Sequence, residues 1–239
     1  MFMHLPRFVA LIAVLGALAL SGCASTRPVK YQDLSSAKDM EASPPDADKR
    51  TPFSYRDREV VWKKYSSFIL DPITIYSNSD GQFGDLSDVD KTILASYMQD
   101  QFQATLAKQF RPAPSSERDT LRLRVTLTGA ETSTRVISTV AKIIPIGAVV
   151  NTAIWALGKQ APFIGSATYA VEIYDGASGA LLDAFITKQY PGAMNIPASF
   201  GSLGAAKAGI RLGAEQLTTT LTKYGVVGRD ESSIITSHP

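Results

Sequence analysis

Apolar and polar positions alternate strictly along TLRLRVTLTG, with Leu121, Leu123, Val125 and Leu127 on one side and Arg122, Arg124, Thr126 and Thr128 on the other. A period of two is that of a strand with one face on a core and the other in water. In ATYAVEIYDGASGALLDAFITKQY, Tyr169, Val171 and Ile173 share one face, and Asp175-Gly176-Ala177-Ser178-Gly179 predicts a turn joining two strands into a hairpin. Upstream, VVWKKYSSFILDPITIY is rich in β-formers, from Val60 and Val61 through Tyr65, Phe68 and Ile69 to Ile73 and Ile75. Pro72 cannot donate to a ladder, so the expectation is a strand with a bulge or an edge at Asp71-Pro72.

Elsewhere the period lengthens. In SDVDKTILASYMQDQFQATLAKQFRP, Val89, Ile93 and Tyr97, then Phe102, Leu106 and Phe110, recur four apart, which predicts a helix. Ser87 and Asp90 form an N-terminal capping pattern, Lys108 and Arg111 suit the C-terminus, and Pro112 ends it. A second helix is expected near the end of the chain, where Leu203, Ile210, Leu217 and Tyr224 lie seven apart with Ala214 and Leu221 between them, and Gly225 serves as cap. On its other face Gly201, Ala205, Gly209 and Gly213 are spaced by four, a ridge without bulk where another backbone can approach. That backbone is either the sheet or first helix of the same chain, or a helix of a second copy.

Between the alternating strand and the hairpin, RVISTVAKIIPIGAVVNTAIWALGKQAPFIG (135–165, the excursion proper being 136–164) is far more apolar than a connection requires. Ile143 to Leu157 carries no charge, yet at about fifteen residues, broken by Pro145 and Gly147, it is too short to span a bilayer. An apolar helical excursion is expected, folded over the sheet or in contact with membrane or a second subunit; the candidate contact residues are Ile143, Ile144, Ile146, Val149, Val150, Ile154 and Trp155.

The fold class expected is α+β: an antiparallel or mixed sheet of about four strands, two main helices packed on one face, and the excursion. Residues 52–228 form a single domain and 229–239 a disordered tail. Residues 23–51 read as an N-terminus and flexible tether, because ASTRPVK, SSAKD and EASPPDADKR are rich in Ser, Pro and charge. Within it YQDL (Tyr31 to Leu34) breaks the composition and either docks on the domain or is solvated.

The first 22 residues belong to none of this. Arg7 precedes an unbroken apolar run from Phe8 to Leu20, then small residues, as in a secretory signal. Leu20, Ser21, Gly22 and Cys23 resemble the lipobox of bacterial lipoproteins. The resemblance implies cleavage between Gly22 and Cys23 and fatty acylation, with palmitate-type chains, of the single cysteine in the chain. Two acyl chains on the sulfur would anchor the protein stably. No aspartate follows the cysteine, only Ala24 and Ser25, which resembles sorting to the periplasmic face of the outer membrane; the inner membrane is the alternative.

Composition narrows the chemistry. Lys and Arg total 24 against 22 Asp and Glu, a net charge of +2 without a basic block, so no nucleic-acid partner is expected. The only histidines are His4 and His238, one in the signal and one beside the C-terminus, so no triad can be built, and no Cys or His cluster offers metal-ligand spacing. No cofactor, metal or catalytic residue is expected. Paired carboxylates are the remaining raw material for hydrolysis, drawn from Asp71, Asp85, Asp88, Asp90, Asp175 and Asp183. Asp88 and Asp90 read as helix-start charges, Asp175 as a turn residue and Asp71 as a strand-end residue before proline.

Leu20 to Cys23, YQDL, YSSFILDPITIY (Tyr65 to Tyr76) and LRLRVTLT together resemble the bacterial lipoproteins grouped as domain of unknown function 3313. The resemblance implies a small envelope lipoprotein and assigns no activity. The expected function is a non-catalytic, lipid-anchored interaction or assembly module of the cell envelope, attached to the membrane by its lipid and binding envelope proteins or itself. The alternatives are a binding module for a lipid or other apolar ligand and, third, a carboxylate-dependent hydrolase.

Overall fold

A computed structural model describes residues 26–44, 50–133, 165–191 and 201–229. Within them, eight strands form one mixed sheet: β1 (Glu41–Ala42), β2 (Phe53–Arg56), β3 (Ser67–Leu70), β4 (Thr74–Ile75), β5 (Arg111–Pro112), β6 (Thr120–Glu131), β7 (Ser166–Asp175) and β8 (Leu181–Gln189). Two long helices, α1 (Asp88–Gln109) and α2 (Gly204–Tyr224), accompany them. The strand order is β1-β2-β8-β7-β6-β3-β5, with β4 also paired to β6. All pairs from β1 to β6 are antiparallel, whereas β3 and β4 run parallel to β6, and β5 parallel to β3.

The mixed α+β class holds, but the sheet has eight strands rather than about four. The additional ones are two to four residues long. They are held by backbone pairing, which needs no side-chain alternation and leaves no periodic trace. The expected strand through Tyr65 to Tyr76 is split into β3 and β4 at Asp71–Ile73, around Pro72, and Trp62–Lys64 before it forms a 3-10 turn.

The caps of α1 follow the sequence: the Ser87 hydroxyl accepts from the Asp90 amide at 3.1 Å, satisfying one of the free donors of the first turn. Its buried stripe differs from expectation in the first half. Leu94, Met98, Phe102 and Leu106 are buried, while Val89 and Ile93 are 69% and 41% exposed. The expected stripe contained a five-residue step from Tyr97 to Phe102, and a helix keeps one face only if the spacing of four continues back through Met98 to Leu94. In α2, Ile210, Ala214, Leu217 and Leu221 are buried, and Gly225 closes the helix with a left-handed φ of 94°. The Lys207 ammonium lies over the Tyr97 ring and Arg229 donates to the Ala107 carbonyl, so the helices run side by side with both N-termini at one end.

The other side of the sheet is covered as well, by residues of the expected tether, and of the two alternatives for Tyr31 to Leu34 the structure shows docking. Tyr31, Leu34 and Met40 are buried. The Tyr31 hydroxyl donates to Gln82 at 2.8 Å, and the Ser36 amide donates to the buried Glu172 carboxylate at 2.7 Å. Thr126 and Thr128, expected in water, are therefore buried. The domain begins well before residue 52. Tyr, Leu and Met spaced irregularly among polar residues carry no periodic signal, yet each contributes about 1.5–3 kcal/mol when it reaches an apolar surface.

Candidate functional site

Between β2, β8 and the C-terminal half of α2 lies an open groove of about 520 Å³. Thr51, Ser54, Thr187 and Gln216 give it hydroxyl and amide groups, and Tyr169, Phe185 and Leu217 give it apolar surface. At one end stands Asp183, opposite Arg56 in the antiparallel register. Arg56 Nε donates to the carboxylate at 2.9 Å and the Tyr224 hydroxyl donates to it at 3.2 Å. The Arg56 guanidinium also sits 4.1 Å over the Tyr224 ring. Burial pushes the Asp183 carboxyl up from 3.8 to about 6, against the pull of Arg56. Burial prevails because the aspartate side chain is 3% exposed whereas that of Arg56 is 53% exposed, so water screens the cation.

A carboxyl with a higher folded than unfolded value binds its proton more tightly in the folded state. Asp183 therefore contributes stability in acid that is lost as the pH rises from 3.8 to about 6. A shift of this size corresponds to about 3 kcal/mol. Asp183→Asn should flatten the urea-unfolding stability profile between pH 4 and 6 and be no less stable than wild type at pH 7. An unchanged slope in the variant would refute this assignment.

Asp175 lies at the far end of β7 and has the opposite character. It accepts from the Tyr65 hydroxyl at 2.7 Å, Lys64 Nζ at 3.0 Å, the amides of Ala177 and Ser178 at 3.0 and 2.8 Å, and the Ser178 hydroxyl at 3.0 Å. Burial alone would raise its carboxyl, but these donors outweigh burial and hold it well below the usual carboxylate range. The remaining carboxylates are engaged separately. Asp71 pairs with Arg122 at 2.9 Å, Asp88 with Lys91 at 2.9 Å, and Asp90 with the Ser87 hydroxyl at 2.9 Å, while Asp85 is exposed beside the start of α1. Among the described residues, no group of three His, Cys, Asp or Glu side chains is placed to hold a metal, and no helix is long and apolar enough to cross a membrane.

Of the glycine ridge, Gly209 and Gly213 face the sheet. A methyl group at Gly209 would overlap the Gln189 carbonyl, and one at Gly213 would overlap the Tyr169 hydroxyl. Ala205 is fully buried. Gly201 precedes the helix, with φ at 92° and nothing near it, so it is no part of the ridge. Cys23, with Gly22, and the excursion residues Ile143, Ile144, Ile146, Val149, Val150, Ile154 and Trp155 lie outside the described residues.

A third cluster, which sequence reading did not find, fastens the N-terminal segment. Lys188 Nζ donates to the Thr26 carbonyl at 2.7 Å and to Glu131 at 2.8 Å, and the Thr26 amide donates to the same carboxylate at 3.2 Å. Ser166 donates to the other Glu131 oxygen at 3.0 Å. Lys188 is 5% exposed, so its charge is paired where water cannot solvate it. The signal available in sequence was a lysine at an inward-facing position of a strand.

These features define an α+β domain of one mixed sheet and two long helices. The model of the family described as "Protein of unknown function (DUF3313)" matches residues 30–217, and the chain belongs to that family. No curated protein matches. Similar solved structures include a dodecamer of a singly substituted PelC from Paraburkholderia phytofirmans, 11% identical, with TM-score 0.34, covering 73% of this chain and 95% of that one. A second PelC dodecamer structure from the same organism is 12% identical, with TM-score 0.34, covering 64% and 88%. A DUF4136 family protein from Bacteroides thetaiotaomicron is 14% identical, with TM-score 0.32, covering 72% and 95%.

Proposed function

We propose that the chain is a lipid-anchored, non-catalytic interaction or assembly module of the bacterial cell envelope, held through Cys23 on the periplasmic face of the outer membrane. The carrying observation is the run Leu20-Ser21-Gly22-Cys23 directly after an apolar export segment. The engagement of Asp71, Asp175 and Asp183 by cations and hydroxyls supports a non-catalytic role, since each carboxylate has its donors within the fold. The working surfaces are then contacts with envelope proteins or with further copies of the chain.

Cys23→Ser should abolish incorporation of labelled palmitate and leave an unprocessed precursor or a form released from the membrane, with no change in the melting of the domain. Palmitate incorporated into that variant would refute the anchor. The groove beside α2 favours a second reading, in which the module binds a small ligand with both apolar and hydroxyl groups; a stoichiometric small molecule in native mass spectra of the purified protein would support it.

A further inference from the structure

The cluster around Lys188 fixes where on the domain the anchor emerges. If Cys23 carries the lipid, as proposed above, only Ala24 and Ser25 separate it from Thr26. Three residues of fully extended chain span at most about 11 Å. Thr26 is bonded through both its carbonyl and its amide to the ion pair of buried Lys188 and half-buried Glu131, so the tether ends there rather than near residue 51. The next residue is held too, because Gln82 donates to the Arg27 carbonyl at 2.8 Å.

We propose that the end of the domain formed by Thr26, the last residues of β6 and the first turn of α1 rests on the lipid bilayer, in one fixed orientation. Thr26, Gln82, Asp85, Asp90, Glu131 and Thr132 come together at this end around a shallow depression. The exposed apolar side chains Val89 and Ile93 belong to the first two turns of α1, at the same end. The β7–β8 turn at Ala177 lies at the other end of a ten-residue strand, roughly 30 Å away. A lipid anchor on a long flexible linker would present every face of the domain to the membrane in turn. One this short presents a single face.

The occupant is a lipid surface rather than a protein because only Ala24 and Ser25 separate the anchored Thr26 from the proposed lipid on Cys23, which holds this end within about 11 Å of the acyl chains. Lys91, paired with Asp88, and Arg27, whose carbonyl accepts from Gln82, lie at this end with Asp85 and Asp90, a mixed charge that suits a zwitterionic headgroup layer and does not demand an anionic one.

The test uses the lipidated full-length protein in phosphatidylethanolamine–phosphatidylcholine vesicles that carry a headgroup nitroxide lipid. Cys23 is the only natural cysteine and its sulfur is acylated, so Asp85→Cys and Ala177→Cys each offer one free thiol for a fluorophore. Asp85 and Ala177 are both exposed. The label at position 85 should be quenched several-fold more strongly than the label at 177. Inserting a Gly-Ser linker of about 20 residues between Ser25 and Thr26, with a reach of roughly 25 Å, should bring the two toward equality without releasing the protein. Equal quenching in the uninserted protein, or stronger quenching at 177, would overturn this inference while leaving the lipid anchor standing. A mass spectrum without a diacylglyceryl group would instead overturn the anchor and, with it, the inference. If the label at 85 were shielded in proportion to protein concentration before vesicles are added, that end would belong to a second copy and the lipid assignment would fall.

Discussion

Gly209→Ala should destabilise the domain by at least about 3 kcal/mol, even though alanine is the better helix former by about 1 kcal/mol. The added methyl group would lie against the Gln189 carbonyl and the Tyr190 amide, which are backbone of β8 and its continuation. A flexible side chain could swing aside, but backbone cannot. Relief therefore requires α2 to lift from the sheet, separating Ile210, Ala214, Leu217 and Leu221 from the core they complete. For a chain of this size the loss corresponds to a fall in melting temperature of roughly 10 °C. Thr219→Ala, on the exposed face of the same helix, should stay within about 0.5 kcal/mol of wild type. Thermal unfolding followed by circular dichroism checks both, and a Gly209→Ala protein melting with wild type would show that the close approach of helix to sheet is not tight.

Asp175→Ala is expected to cost about 3 kcal/mol. The side chain collects donors from the 3-10 turn, from Tyr65 and from the β7–β8 turn, so truncation strands several of them at once. The Tyr65 hydroxyl suffers most, because that residue is fully buried and no water can replace the carboxylate. Asp175→Asn should recover part of the loss, since an amide oxygen still accepts, though without charge. Because its carboxyl titrates well below the usual range, the contribution of Asp175 is present above about pH 4 and disappears as the pH falls further. Urea unfolding at pH 7 should therefore show the full penalty, and the difference between wild type and variant should shrink in acid. Equal stabilities at pH 7 would rule out this network as a structural brace.

The parts of the fold that are legible in sequence are those whose cause is local. The Ser87 cap, the Asp175–Gly179 turn and the glycine after Tyr224 each depend on residues within a few positions, so pattern suffices to find them. The inward stripe of β6 is equally plain, since Leu121, Leu123, Val125 and Leu127 alternate without a break. What cannot be read is pairing across long separations. Asp183 meets Arg56 and Lys188 meets Thr26 across most of the chain, and no periodicity links such positions. The Tyr31–Met40 segment reads as tether for a related reason: its polar residues look solvated until one sees that Ser36 has Glu172 to bond and that Tyr31 has Gln82.

The placement of that segment has a bearing on the order of events as the protein forms. Residues 26–40 are made before any other described part of the domain, but Glu172 and Lys188, which hold the N-terminal stretch down, are among the last residues of the sheet to arrive. Contacts spanning such distances carry a loop-closure cost that slows folding. The stretch made first is thus the last that can dock, and until β8 has emerged the side of the sheet it later covers stands open. During that interval the half-made sheet shows unpaired edges and bare apolar surface, the form in which a growing chain is most in need of a chaperone.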